Sequence, residues 1–134
     1  VIAGVPYLAS RKDCSGRVGT VGFCYGGGVS LLCAAREAAV AASVCFYGSP
    51  LSAEDTANVQ IPLMMHYAGN DERINQSIPE FRKLLDEHAI AYSLHMYPGT
   101  QHGFHNDSSE ARYDEAAATL AWKRTLALFE STLG

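Results

Sequence analysis

The fold of this chain is indicated most strongly by the stretch Val21-Gly22-Phe23-Cys24-Tyr25-Gly26-Gly27-Gly28. An apolar, β-like run leads into it, and an apolar, helix-like run follows it. A G-x-C-x-G segment between a strand and a helix is typical of a nucleophile elbow, a sharp turn that holds its central residue on a strained backbone with the side chain exposed. We therefore predict that Cys24 is a nucleophile. Gly22 and Gly26 are expected to be glycines because the backbone segments on either side of Cys24 pass close together.

Two other interpretations of this stretch stay open. A buried free cysteine without a function is common, and glycine-rich turns from strand to helix also occur in nucleotide-binding folds. The phosphate-binding spacings G-x-G-x-x-G and G-x-x-x-x-G-K-[ST] cannot be laid over these glycines. The sequence therefore does not predict a nucleotide site.

An acid and a base follow the elbow, each directly after an apolar run. Asp71 follows the run from Pro62 to Tyr67, and His102 follows the run from Tyr92 to Tyr97. The order nucleophile, acid, histidine, with all three residues at strand exits, is typical of a catalytic triad on an α/β fold. His105 is an alternative base, and Glu72 and Asp107 are alternative acids, all less well placed by their local sequence.

These motifs resemble the dienelactone hydrolase family, a branch of the α/β-hydrolases that uses a cysteine nucleophile, and the resemblance is to the C-terminal portion of that domain. The segments that carry it are Gly19–Gly27, Cys45–Gly48, Ala68–Asp71 and Tyr97–Phe104. The resemblance implies a triad of Cys24, Asp71 and His102, with the backbone N–H of Tyr25 in the oxyanion hole. It also implies hydrolysis of an ester, thioester or lactone through a thioacyl-enzyme.

The resemblance carries expectations about the pocket as well. The family's second oxyanion donor belongs to a part of the domain that would precede Val1, and a carboxylate-binding arginine of the family corresponds here to Asn106. Tyr25, Tyr47 and Phe104 adjoin the elbow or a strand exit, so we expect them to line the substrate pocket. No cofactor is implied.

The rest of the chain alternates helix and strand, which predicts one truncated α/β-hydrolase domain over residues 1–134 with a mostly parallel sheet of about four strands flanked by helices. An apolar stripe on the last helix is assigned to the core. The predicted strands are Arg17–Phe23, Val40–Tyr47, Pro62–Tyr67 and Tyr92–Tyr97, and the predicted helices are an opening segment to about Ser10, Gly26–Ala38, about Ile78–His88 and about Tyr113–Leu133.

Composition excludes several classes of protein. The net charge is −4 with no basic run, which argues against a nucleic-acid partner, and no apolar stretch has the roughly 20 residues of a membrane helix. The four cysteines show no C-x-x-C spacing, so a metal site is not predicted. Unpaired cysteines fit a reducing compartment, and we expect a cytoplasmic protein.

The strand Arg17–Phe23 has a further consequence for assembly. If it lies inside the sheet of a longer domain, here it becomes an edge with apolar side chains and unpaired backbone groups. We expect a homodimer that covers this edge. The alternative function, from a different class, is a weak or inactive fold remnant that acts as an oligomerising interaction module.

Overall fold

A sheet of four parallel strands forms the centre of the chain in the computed structural model, which describes all residues from Val1 to Gly134. The strands lie side by side in chain order, so the predicted α/β class and strand number are confirmed. They are near-continuously apolar because helices cover the sheet on both faces. Their bounds are β1 (Val18–Phe23), β2 (Val40–Phe46), β3 (Leu63–Ala68) and β4 (Tyr92–Tyr97).

Six helices connect and cover the strands. The four predicted helices are present with ends shifted by at most two residues. Two single-turn helices, α3 and α4, are additions that the sequence pattern did not indicate. The bounds are α1 (Gly4–Ala9), α2 (Tyr25–Arg36), α3 (Ala53–Thr56), α4 (Glu72–Asn75), α5 (Ile78–Glu87) and α6 (Glu115–Leu133).

The core has two main parts, one on each face of the sheet. Cys45 belongs to the part that includes Leu31 of α2 and Phe81 of α5, whereas the next residue of β2, Phe46, belongs to the part that includes Ala121 of α6. This alternation follows from the period of two in a strand. The elements that follow the strands are thereby anchored to a rigid layer.

The carboxyl ends of the strands lie together at one edge of the sheet. Phe23 at the end of β1 is opposite Phe46 of β2, and Ala68 at the end of β3 is opposite Tyr97 of β4. Because all four strands are parallel, the segments after them emerge on the same side. This is the position where a parallel sheet usually carries its ligands.

A buried histidine joins β3, β4 and α6. His66 is fully buried, with Nδ1 2.9 Å from Oη of Tyr97 and Nε2 3.1 Å from Oγ1 of Thr125. The Thr125 hydroxyl donates to the Ala121 carbonyl, so its oxygen accepts from the Nε2–H of His66. Tyr97 then donates to Nδ1 and itself accepts from Arg124. The imidazole is held neutral in a single tautomer.

Strand β1 lies at one edge of the sheet, as the sequence analysis expected, and pairs only with β2. The apolar stripe of α6 was assigned to the core, and this is right for only half of it. Phe129 packs over Gly19 of β1, but Trp122 is 37% exposed and Leu126 is 51% exposed beside the edge. None of the helices is both long enough and apolar enough to cross a membrane.

Candidate active site

Cys24 lies at a sharp turn between β1 and α2. Its backbone has φ 53° and ψ −124°, a left-handed conformation that is strained for any residue with a Cβ atom. A Cβ atom on Gly22 would lie 1.8 Å from the carbonyl oxygen of Gly26, so only glycine fits at that position. We predicted the same steric limit at Gly26. This prediction is wrong, because a Cβ atom on Gly26 would meet nothing within 4 Å.

The thiol of Cys24 is exposed at the wall of a cavity of about 320 Å³. This volume is at the lower end of the range for small-molecule pockets. Beside Cys24, the cavity is lined by Phe23, Tyr47, Gly103, His105, Asn106, Asp107 and Arg112.

Burial raises the pKa of the Cys24 thiol above its usual value, and the negative charge of Asp71 raises it further. The positive charges of Arg112 and Arg73 lower it but do not compensate. The positive end of α2 favours a thiolate, yet the net shift of the pKa is toward the protonated thiol. Ionisation of Cys24 therefore requires a base.

Asp71 and His102 are joined by a hydrogen bond. The Nδ1 atom of His102 lies 2.5 Å from Oδ2 of Asp71, and the Asp71 side chain is only 6% exposed. Asp71 precedes the single turn α4, directly after β3, and His102 lies in the loop after β4. A carboxylate at Nδ1 fixes the tautomer of an imidazole and leaves Nε2 as its reactive nitrogen.

Backbone hydrogen bonds hold the acid loop against the histidine loop. The N–H of Gly69 donates to the carbonyl of Tyr97 at 2.9 Å, and the N–H of Asn70 donates to the carbonyl of Thr100 at 2.9 Å. The loops are therefore fixed to each other just beyond the carboxyl end of the β3–β4 pairing. Because these bonds come from the main chain, they do not depend on which side chains the two loops carry.

No hydrogen bond joins Cys24 to His102. Cys24 lines the first cavity, whereas His102 and Asp71 line a neighbouring depression, and Arg112 lines both. Tyr47 connects the two parts, since it lines the Cys24 cavity while its ring centroid lies 5.0 Å from that of the His102 imidazole. Catalytic hydrogen bonds are often long in unliganded sites and shorten when substrate binds.

The three predicted pocket residues lie in different places. Tyr47 lines the cavity. Phe104 is fully buried in the core and packs edge-on against Tyr47, with ring centroids 5.4 Å apart, so it supports the wall rather than forming it. The Tyr25 side chain is 88% exposed and lies on a groove beside β1, outside the cavity. Its backbone N–H, in contrast, is the first of α2 and has no partner within the helix.

The alternative acids and base are not paired with each other or with the predicted triad. His105 lines the cavity, but its ring packs among Phe23, Phe46 and Trp122. Burial lowers the pKa of His105, so this imidazole is neutral near pH 7. Asp107 lies at the cavity rim and Glu72 is exposed on α4, and neither contacts His102.

Two arginines at this site were missed by the sequence analysis. Arg112 and Arg73 both line the depression that contains Asp71 and His102, and neither forms an ion pair. Arg73 could have been predicted to lie at the site, because it is only two residues after Asp71. Nothing in the sequence around Arg112 places it near Cys24, because nine residues of irregular loop separate it from His102. No group of three or more His, Cys, Asp or Glu side chains is arranged to hold a metal ion.

Comparison with known proteins was made for sequence and for structure. The family model described as the dienelactone hydrolase family matches residues 1–133. A Bradyrhizobium protein named "Probable 2-oxo-3-(5-oxofuran-2-ylidene)propanoate lactonase" is 37% identical over 94% of this chain and 55% of its own length. Carboxymethylenebutenolidase 1 of Cupriavidus pinatubonensis is 35% identical over 92% of this chain and 53% of its own length.

Among solved structures, the dienelactone hydrolase of Anabaena variabilis superposes with a TM-score of 0.78 at 24% identity. The match covers 99% of this chain and 58% of that protein. At this identity the structural likeness supports the fold alone. The chain thus spans somewhat more than half the length of the relatives it matches.

Proposed function

The chain belongs to the dienelactone hydrolase family, and from this membership we propose that it hydrolyses an ester, thioester or lactone with Cys24 as nucleophile, His102 as base and Asp71 as the acid that orients it. The observation that carries the proposal is the hydrogen bond between His102 and Asp71 beside a cysteine held at φ 53°. A strained cysteine and an oriented imidazole at the same edge of one parallel sheet have little structural use apart from chemistry.

The reaction begins with transfer of the Cys24 proton to Nε2 of His102. The thiolate attacks the carbonyl carbon, forming the S–C bond, and the tetrahedral oxyanion accepts a hydrogen bond from the backbone N–H of Tyr25. The bond to the leaving oxygen or sulfur breaks as His102 returns its proton to that atom. Water, deprotonated by His102, then attacks the thioacyl group, and the thiolate leaves and recovers the proton.

Asp71 stabilises the imidazolium that forms in both steps and holds Nε2 toward the cysteine. Its side chain is almost fully buried, so its interaction with the imidazolium is weakly screened by solvent. Since the pKa of Cys24 is raised, proton transfer to His102 is needed before attack and is not bypassed by a standing thiolate.

The substrate we propose is a small molecule that carries a negative charge close to its reacting carbonyl. Arg112 lines both the Cys24 cavity and the adjoining depression, Arg73 lines the depression, and neither is neutralised by a carboxylate. A guanidinium fork binds carboxylates in a bidentate manner. Arg112 would supply this charge in place of the arginine that the family carries at the position of Asn106.

We also propose a single domain over residues 1–134 that forms a homodimer through the β1 edge. On one face of this edge a groove is lined by apolar side chains of α1, β1 and α2, including Val5, Leu8 and Val21. On the other face, Trp122 and Leu126 of α6 are partly exposed. A strand with one unpaired edge and apolar surface on both faces is a site for pairing with another chain. The cytoplasmic location stays a prediction from cysteine usage.

The test is intact-mass spectrometry after brief incubation with 4-nitrophenyl acetate and an acid quench. We expect a transient gain of one acetyl group in the wild-type protein and none in Cys24→Ala. Cys14→Ala is the matched control, because Cys14 is another partly accessible thiol, and it should label like the wild type. Equal labelling of the wild type and Cys24→Ala would overturn the proposal. An inactive interaction module, the alternative function, is not favoured by the family match.

A further inference from the structure

Tyr47 is strained in the same way as Cys24. Its φ is 40°, and only two other non-glycine residues of the chain, Cys24 and Ala89, have positive φ. Tyr47 and Cys24 follow the ends of adjacent strands and line the same cavity. A bulky aromatic residue in this conformation costs on the order of 1–3 kcal/mol, so it persists where the surrounding structure holds the side chain in a particular place.

The ring of Tyr47 is fixed by its neighbours. It packs against Phe46 and Phe104 with centroids 6.1 and 5.4 Å away, and the centroid of the His102 imidazole lies 5.0 Å away. The residue is only 2% exposed, and the exposed part belongs to the cavity wall. Phenylalanine could make the same ring contacts, so packing does not explain the hydroxyl group of Tyr47.

The hydroxyl is a proton donor at every working pH. Burial, and then the negative charge of Cys24, raise the pKa of the Tyr47 phenol well above its usual value. The backbone of His105 favours the opposite direction but is outweighed. No hydrogen bond within the chain holds the Tyr47 hydroxyl, and its oxygen is not one of the fully buried side-chain atoms without a partner, so the hydroxyl is open to the cavity that Tyr47 lines. A ligand in the cavity can accept its proton.

We propose that the Tyr47 hydroxyl donates a hydrogen bond to the oxyanion formed when Cys24 attacks the substrate carbonyl, so that Tyr47 is a catalytic residue. This inference rests on the proposed function, since without the acyl transfer there is no oxyanion. With the N–H of Tyr25, it gives the described residues two donors for one negative charge. In a cavity that is partly closed to water, each such donor contributes about 10²–10³-fold to turnover.

The experiment compares two reactions of Cys24 in wild type and in Tyr47→Phe. Acylation by 4-nitrophenyl acetate forms an oxyanion, whereas alkylation by iodoacetamide requires the same thiolate but forms none. We expect Tyr47→Phe to slow acylation about 10²-fold and to leave the rate of alkylation unchanged between pH 6 and 10. Tyr7→Phe, at an exposed tyrosine of α1, is the matched control and should change neither rate.

The outcomes are distinct. Unchanged acylation in Tyr47→Phe would overturn the inference and leave the proposed function standing. An equal loss in both reactions would also overturn it, because Tyr47 would then act on the thiolate or on the fold. No acylation of wild-type Cys24, with normal alkylation, would reject the proposed function and this inference together. A thionoester in place of the ester gives a further check, since sulfur accepts hydrogen bonds weakly and the effect of Tyr47→Phe should shrink.

Discussion

The Nδ1 atom of His102 lies 2.5 Å from Oδ2 of Asp71, although the two residues are 31 positions apart in the sequence. The bond orients the imidazole and leaves its Nε2 free for the role proposed above, accepting the proton of Cys24. Asp71→Asn should therefore lower the rate of ester hydrolysis on the order of 10³–10⁴-fold, because an amide can stabilise the wrong tautomer and cannot stabilise the imidazolium. Steady-state hydrolysis of 4-nitrophenyl acetate measures this. Glu72→Gln, next in sequence and exposed, should retain full activity, and equal losses in both variants would contradict the assignment.

Alkylation of Cys24 should increase with pH beyond the range of an ordinary thiol, because burial raises its pKa. Arg112 lowers that pKa, so Arg112→Gln should shift the alkylation profile to higher pH and slow the reaction at pH 7.5. The measurement is the rate of iodoacetamide labelling of the Cys24 peptide from pH 6 to 11. The control is Arg82→Gln, which removes a guanidinium on α5, away from the Cys24 cavity. A profile that moves to lower pH in Arg112→Gln would contradict the charge effect.

The two elbow glycines should respond differently to alanine. Gly22→Ala places a Cβ 1.8 Å from the Gly26 carbonyl oxygen, and because that contact is with backbone, we expect a loss of several kcal/mol or failure to fold. Gly26→Ala meets nothing within 4 Å and lies in the first turn of α2, so its stability should stay within about 1 kcal/mol of wild type. Urea unfolding followed by circular dichroism compares them. Similar losses of stability in both variants would show that the contact with the Gly26 carbonyl oxygen is not what requires glycine at position 22.

His66 makes the fold sensitive to acid. Burial lowers its pKa to about 3, below the ordinary value near 6.5 that it regains on unfolding. The unfolded chain therefore binds the proton more readily, and the free energy of unfolding should fall by roughly 1.4 kcal/mol per pH unit once the pH is below 6.5. Urea midpoints at pH 7, 6 and 5 measure the slope.

His66→Gln removes this titrating group and should reduce the slope, leaving the part from His95 and His105, whose pKa values burial also lowers. It also lowers stability at pH 7 by disrupting the hydrogen bonds to Tyr97 and Thr125. His88→Gln, at the exposed end of α5, is the matched control and should keep the wild-type slope. An unchanged slope in His66→Gln would assign the acid sensitivity to other groups.

The β1 edge should mediate self-association. Val21 is 37% exposed on this strand, and a lysine in its place would bring two like charges together if two copies pair across the edge. We expect wild type to behave as a dimer in light scattering at micromolar concentration and Val21→Lys to be monomeric. Lys83→Glu, on the surface of α5, should remain dimeric. A monomeric wild type under these conditions would reject the homodimer.

Much of the fold was predictable because the signals for it are local. The alternation of apolar strands with amphipathic helices gave all four strands to within a residue or two at each end. The single turns α3 and α4 were not predicted, since four residues are too few to show a period of 3.6. The exposure of Trp122 and Leu126 was missed because an apolar stripe does not say which part of a helix extends beyond the sheet it covers.

The candidate site, too, has features that local sequence predicts and features that it does not. The elbow at Cys24 and the strand exits that carry Asp71 and His102 follow from local sequence, because steric limits at Gly22 and the periods of strands and helices act over a few residues. The hydrogen bond between Asp71 and His102, the place of Tyr47 rather than Phe104 in the cavity wall, and the position of Arg112 beside Cys24 are set by the three-dimensional fold. These relationships depend on how loops from different strands approach one another, and that is set by strand register and by backbone hydrogen bonds between loops rather than by any local pattern.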